Sequence, residues 1–177
     1  MDQRRLGGSG IQVSRVILGC GNFGGDQLRS VLALGRPATV QNSFSLLERS
    51  DEDEVLGLCF EFGVSYTPFS PLAGGWLTGK YKRDETAPAG SRMALRPEPY
   101  EHLRTERTFA ALDRFAEIAA RRGTDVSTLA IGWLLAQPTV TAVVVGPRRP
   151  EHLESAVRAA ESPLSQAEAG ELADLFA

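Results

Sequence analysis

Strands and helices take turns along most of this chain, and that alternation predicts an α/β fold built on a parallel sheet or on an arc of a barrel. Two further observations point the same way. Val140-Thr141-Ala142-Val143-Val144-Val145 is an almost unbroken apolar run, the kind of strand that a parallel sheet buries on both faces. The length of 177 residues is enough for one well-buried domain. It falls short of the roughly 250 residues typical of a closed (β/α)8 barrel, so any barrel must be partial.

The elements follow in order. Residues 4–6 and 11–13 flank Gly7-Gly8-Ser9-Gly10, whose glycines accept positive φ, so an N-terminal β-hairpin is expected. Val16-Ile17-Leu18 reads as a short buried strand. Residues 26–34, closed by Gly35, have the character of a helix, and 39–41 form a second short strand. Ser50-Asp51-Glu52-Asp53 has the pattern of a capping box, opening a helix that runs to Phe62 and stops at Gly63. A third strand is expected over 64–69.

The Gly- and Pro-rich stretch 70–104 is too long for an idle connection in a compact domain, and loops of that length are usually functional or disordered. Phe109, Leu112, Phe115, Ala116 and Ala119 then repeat at helical spacing up to Gly123. Val126, Leu129, Ala130, Trp133 and Leu134 do the same before Pro138. After the strand at 140–145, residues 151–160 and 165–176 read as helices, the last with a capping box at Ser165 and Glu168. No repeat, low-complexity tract or linker divides the chain, so residues 1–177 are expected to form a single domain.

Composition narrows the function classes. With 42% hydrophobic and 23% charged residues, and a net charge of -3 from 19 basic and 22 acidic side chains, nothing suggests a nucleic-acid surface. No apolar run approaches the length of a membrane span, and the polar start Met1-Asp2-Gln3-Arg4-Arg5 lacks a signal-peptide apolar region, so a cytoplasmic chain is expected. Cys20 and Cys59 each sit in an apolar segment with no Cys or His at ligand spacing, which predicts two reduced core thiols and no metal.

In such folds, ligands sit at the carboxyl ends of the strands. One such end is Val145-Gly146-Pro147-Arg148-Arg149-Pro150-Glu151, where a buried strand turns through Gly146 into a helix. Cations there oppose the helix dipole, at a cost of a few tenths of a kcal/mol each. A bound anion would reverse that penalty, and an arginine fork suits a phosphate. The alternative is a pair of solvated arginines on a surface turn. The other end is Phe69-Ser70-Pro71-Leu72-Ala73-Gly74-Gly75-Trp76-Leu77-Thr78-Gly79-Lys80-Tyr81. Its glycines let backbone approach a ligand closely, and Lys80 and Arg92 are within reach of a pyrophosphate. Phe69 is either a stacking face for a flat ring or a core aromatic.

The segment Ser-Pro-Leu-Ala-Gly-Gly-Trp-Leu-Thr-Gly-Lys-Tyr at 70–81 resembles the Ser-Pro-Leu-x-x-Gly-x-Leu-Thr-Gly-Lys-Tyr loop of the aldo-keto reductases, in the branch holding potassium-channel β subunits and bacterial general-stress oxidoreductases. Three more segments agree in order. Residues 5–25 are similar to that family's opening hairpin and first barrel strand, 40–49 to its sixth strand, and 146–153 to its eighth strand and following helix. The resemblance implies NADP(H) as cofactor, with Gln41 on the nicotinamide carboxamide and Phe69 where the family usually stacks a Tyr. It places Ser70, Leu72, Gly75 and Lys80 along the pyrophosphate, Arg92 on a covering loop and Arg148 at the adenosine 2′-phosphate, with Gly146 also among the cofactor-binding residues. His152 stands where the family commonly has Gln beside the adenine. Ser155 and Ala156 replace a Glu-Asn pair that normally contacts the adenine amino group.

The same resemblance implies a gap between Gly25 and Asp26. There the family continues with strands bearing an Asp and a Tyr, then a Lys, then a His, and none of these appears. That tetrad donates the proton to the carbonyl oxygen, a general-acid arrangement that needs its groups in one pocket. The expectation is a nominal NADPH-dependent carbonyl oxidoreductase that is inactive, or alternatively a non-catalytic NADP(H)-binding or protein-interaction module. Gly19-Cys20-Gly21-Asn22-Phe23 fits the ends of both the first and fifth family strands, as expected of a fusion that gives Asn22 the fifth strand's carboxamide contact. Four barrel strands, about half of the eight required, would leave two open edges and an apolar inner face, so a homo-oligomer is expected, the hairpin covering the barrel bottom.

Overall fold

The computed structural model of the chain describes residues 3–14, 18–19, 23–147 and 149–177. At its centre, strand β3 (Thr39–Val40) runs parallel to β4 (Ser65–Tyr66), with Thr39 opposite Ser65 and Val40 opposite Tyr66. The pairing continues past both ends. Thr67 donates its amide to Val40, Phe69 donates to Asn42, and Ser43 lies opposite Phe69. Along the other side of β4 runs the segment 140–144. Tyr66 lies opposite Val140, the Thr141 amide donates to the Tyr66 carbonyl at 2.9 Å, and the Val144 amide donates to the Pro68 carbonyl at 2.8 Å. Three adjacent parallel segments therefore form the arc of a partial barrel.

Helices cover one face of that arc. Helix α1 (Gly25–Leu34) leads into β3, and α2 (Val55–Phe62) joins β3 to β4. Helix α2 stops at Gly63, whose left-handed φ of +61° lets its amide reach back to Cys59 and Phe60. The long passage from β4 to 140–144 holds the one-turn helix α3 (Arg92–Leu95), then α4 (Glu106–Arg121) and α5 (Val126–Leu135). Helix α4 is amphipathic and buries Phe109, Phe115 and Ala119. By contrast, α5 is apolar nearly all round because it lies in the middle of the layer, with Leu129, Ala130, Ile131, Trp133 and Leu134 all buried. Helices α6 (Glu154–Glu161) and α7 (Gln166–Asp174) close the chain. The core runs through Phe44, Leu58, Cys59, Tyr66, Leu77, Phe115, Trp133 and Leu172.

Side-chain caps start these helices as the residue types dictate. Thr105 caps α4, Asp125 caps α5 and Ser165 caps α7 with the expected reciprocal bonds to Glu168. Asp125 does more than cap. Burial raises its pKa, but hydrogen bonds from Thr128, Arg158 and Ser155 outweigh that and hold it at about 2.

Four expectations need correction. Ser50-Asp51-Glu52-Asp53 does not cap α2: Ser50–Glu52 is a separate 3-10 turn, the Ser50 hydroxyl donates to the Glu48 carboxylate, and Asp51 turns inward. The strand at 140–145 is not buried on both faces. Only its β4 side is hydrogen-bonded among the described residues, and Thr141, Ala142 and Val144 are exposed, since no further strand among the described residues continues the sheet. Of the strand expected at 16–18, residues 16 and 17 lie outside the described residues, and Leu18 is exposed and outside regular structure. The hairpin exists, β1 (Gln3–Arg5) antiparallel to β2 (Gln12–Ser14), yet it covers no base. Its residues are exposed apart from half-buried Val13, since a cap needs a closed rim and three parallel segments supply only part of one. Cys59 is a core residue as expected, while Cys20 lies outside the described residues.

Candidate cofactor-binding site

The carboxyl ends of the three parallel segments lie side by side. Gln41 follows β3 and is exposed, Phe69 is half-buried, and Ser70 comes directly after it. Gly146 stands two residues beyond Val144, whose amide is bonded to Pro68, so it occupies the same end of the third segment. Ser70 and Ala73 adopt positive φ of 60° and 45°, uncommon for residues other than glycine. Such conformations persist only where their surroundings impose them, and they concentrate at functional sites. Four of the expected site residues are therefore brought together.

The glycine loop leaves from the same place. Its 3-10 segment Ala73–Thr78 contains Gly74 and Gly75 at φ +64° and +102°. A Cβ on Gly75 would lie about 2.3 Å from the Lys80 ammonium nitrogen, and one on Gly74 about 2.6 Å from the ring of Tyr100. The positive φ at both positions is what calls for glycine, and the exposed Lys80 side chain lies over Gly75. The amides of Ala73, Gly75 and Leu77 donate to carbonyls at Ser70 and Leu72, so the attraction for an anion comes from the side chains of Lys80 and Arg92, both exposed. Leu72 is half-buried beneath the turn. The loop therefore carries two exposed cations, Lys80 with its ammonium against Gly75 and Arg92 in α3.

The adenine end fits less well. His152 lies exposed in a 3-10 turn, Pro150–Leu153. The Ser155 hydroxyl donates to Asp125 at 3.0 Å, which ties α6 to α5, and Ala156 has no polar side-chain atom. Neither replaces the expected adenine contact. Arg148 and Asn22 lie outside the described residues. A cavity of about 310 Å³ opens elsewhere, between Trp76, Leu77, Phe109, Leu112 and Val126, and is lined by none of the expected cofactor residues.

One cluster was missed by sequence reasoning. The Tyr66 hydroxyl donates to Asp51 Oδ2 at 2.6 Å, and Asn42 Nδ2 donates to the same oxygen at 2.8 Å and to the Phe23 carbonyl. All three side chains are buried. Burial pushes the Asp51 carboxyl above the ordinary aspartate range, against the bonds from Tyr66 and Asn42 that favour its charged form. Tyr66 is 0% exposed and packed edge-on against Phe44, so this pair is a core network out of reach of a carbonyl substrate. The only signal in the sequence was an Asp inside a capping-box pattern, where a solvated cap is the ordinary reading.

An arc of parallel segments with helices packed against it is the architecture of part of a (β/α)8 barrel. The profile of the Aldo/keto reductase family matches residues 17–176, and the chain belongs to that family. Its members generally use a nicotinamide cofactor. The chain is 36% identical over 138 residues to the uncharacterized oxidoreductase YrpG of Bacillus subtilis, covering 78% of this chain and 40% of that protein. It is 30% identical over 152 residues to an NADH-specific methylglyoxal reductase of Escherichia coli, covering 86% and 46%. Among solved structures, a glycerol dehydrogenase of Gluconobacter oxydans superposes with a TM-score of 0.73 at 28% identity, covering 88% of this chain and 47% of that one. The chain spans less than half the length of these relatives.

Proposed function

We propose that this chain binds NADP(H) at the carboxyl ends of its parallel segments and does not reduce carbonyl compounds. The observation that carries the first half is the grouping of Gln41, Phe69, Ser70 and Gly146 at one end of the arc, where the loop bearing Leu72, Gly75, Lys80 and Arg92 leaves it. Bound there, the cofactor supplies a hydride. A carbonyl also needs a proton donor, and each tyrosine is otherwise engaged. Tyr66 is buried on Asp51, the Tyr81 hydroxyl donates to Gly74, and Tyr100 packs on Gly74 beside Ser70. Lys80, Lys82, His102 and His152 are exposed and scattered along the loop and the late helical turn. In the loss of the catalytic tetrad we place the reason for inactivity. Purified protein with NADPH and 4-nitrobenzaldehyde is expected to show no oxidation of cofactor above background, and robust turnover would overturn this half of the reading.

Selectivity for the 2′-phosphate is assigned to Arg148. Losing a charge-assisted contact of this kind typically costs about 1.5 to 3 kcal/mol, so Arg148→Ala is expected to weaken NADPH binding by roughly tenfold or more and to leave NADH nearly unchanged. Fluorescence titration with each cofactor checks it, and equal losses for both would count against the assignment.

A second reading concerns assembly. Among the described residues the segment 140–144 is hydrogen-bonded on its β4 side only, Thr141, Ala142 and Val144 are exposed, and so are Leu18, Leu34 and Phe60. Open edges and exposed apolar side chains favour self-association, and two arcs related by an axis along the barrel would keep every strand parallel. The expected result in light scattering at low micromolar concentration is a species of at least about twice 19.1 kDa, whereas a monodisperse monomer with a cooperative thermal transition would dismiss the dimer.

A further inference from the structure

We propose that Tyr81 is the positioning residue for the phosphate end of this site, fixing the glycine turn, Lys80 and the helix that carries Arg92 in one arrangement; the inference rests on the cofactor reading above. Tyr81 is 7% exposed, directly after Lys80. Its hydroxyl donates to the Gly74 carbonyl at 3.0 Å and accepts the amide of Met93 at 3.3 Å. Met93 is the neighbour of Arg92 within α3. The Tyr81 ring carries the Lys80 ammonium 5.2 Å from its centroid and packs at 5.3 Å on Trp76, itself buried. One side chain therefore touches all three carriers of the proposed phosphate contact.

The need for such a fastener follows from the length of α3. Four residues make about one turn, too short to hold a helix by propagation, so the direction in which Arg92 leaves the backbone depends on external bonds. Ser91 supplies one, its hydroxyl accepting the Ala94 amide, and it orients the helix start. Tyr81 supplies the bond that spans from α3 to the glycine turn. Gly74 is held from a further direction by the Tyr100 ring, which leaves its carbonyl a defined position for the Tyr81 hydroxyl to find. With its proton given to Gly74 and a lone pair given to Met93, the hydroxyl acts through Arg92 and Lys80.

The test is a double-mutant cycle read by NADPH binding. Tyr81→Phe keeps the ring, and so the packing on Trp76 and the cation-π contact with Lys80, while removing both hydroxyl bonds. It is expected to weaken NADPH binding roughly three- to tenfold. In an Arg92→Ala background the same change is expected to cost clearly less, because the part of the loss that runs through Arg92 is gone; a merely structural tyrosine would give additive losses. Wild-type affinity in Tyr81→Phe, or additivity with Arg92→Ala, overturns the inference and leaves the cofactor reading intact. Failure of the unaltered protein to bind NADPH overturns the cofactor reading and this role with it. Hydrogen exchange supplies a measurement free of any variant. The Met93 amide of the unaltered protein is expected to gain protection when NADPH is added, and unchanged exchange there, with binding demonstrated, overturns the inference even where Tyr81→Phe does not fold.

Discussion

Trp133→Ala is expected to destabilise the chain by about 3 to 5 kcal/mol, a large part of the roughly 5 to 15 kcal/mol that holds an ordinary domain together. Trp133 is 1% exposed near the end of α5, with its ring 5.3 Å from that of Phe44 and the Arg49 guanidinium 5.8 Å above it. Phe44 follows β3, and Arg49 also donates to Glu52 and to the Ala173 carbonyl of α7. Truncation therefore opens a cavity where the sheet, α5 and the C-terminal helix meet. The indole nitrogen has no hydrogen-bond partner there. Phenylalanine removes that unpaired donor while losing some packing, so Trp133→Phe is expected to cost far less than alanine. Urea unfolding of the two variants checks both statements, and an alanine variant within about 1 kcal/mol of wild type would refute the first.

Tyr66→Phe is expected to cost about 1 to 3 kcal/mol at neutral pH, because it leaves the Asp51 carboxylate buried with one donor fewer. The pH dependence carries the more distinctive signature. The Asp51 pKa is raised by burial, so its contribution to stability is fully present below the unfolded value and is lost as pH rises through the folded one. The Tyr66 hydrogen bond lowers that pKa and so limits the loss. Without it the folded pKa moves further up, and the variant is expected to be more damaged at pH 7 than at pH 3. Thermal unfolding at the two pH values decides it, equal destabilisation at both being the outcome that excludes the mechanism.

Legibility of the site varied with how local its parts are. The glycine turn was readable because positive φ at Gly74, Gly75 and Gly79 is a property of single residues, and Lys80 lies one residue beyond. The alignment of Gln41, Phe69 and Gly146 followed from parallel pairing, which the apolar runs at 64–69 and 140–145 signalled even though the latter pairs on one side only. The commitment of Ser155 to Asp125 was not readable, since a serine at the start of a helix bonds locally or distantly according to what packs against it. Nor was the inward turn of Asp51. Its residue type and spacing match a cap, and only the placement of Tyr66 and Asn42 against it makes a buried carboxylate tolerable.

By itself, the sequence determined that one helix begins at Ser165 and another ends at Gly63, because that reciprocal cap with Glu168 and that left-handed stop are settled within one turn of chain. It also determined the family, through ordered motifs that span most of its length. Tertiary structure alone decided which polar groups are consumed inside the protein and which remain for a ligand. Tyr66 meets Asp51 across 15 residues, Ser155 meets Asp125 across 30, and Tyr81 reaches Met93 across 12. The free energy of such a bond depends on burial and on competing partners that no local pattern encodes, so the hydroxyl inventory of this chain became a division between core, scaffold and site only when the helices packed on the arc.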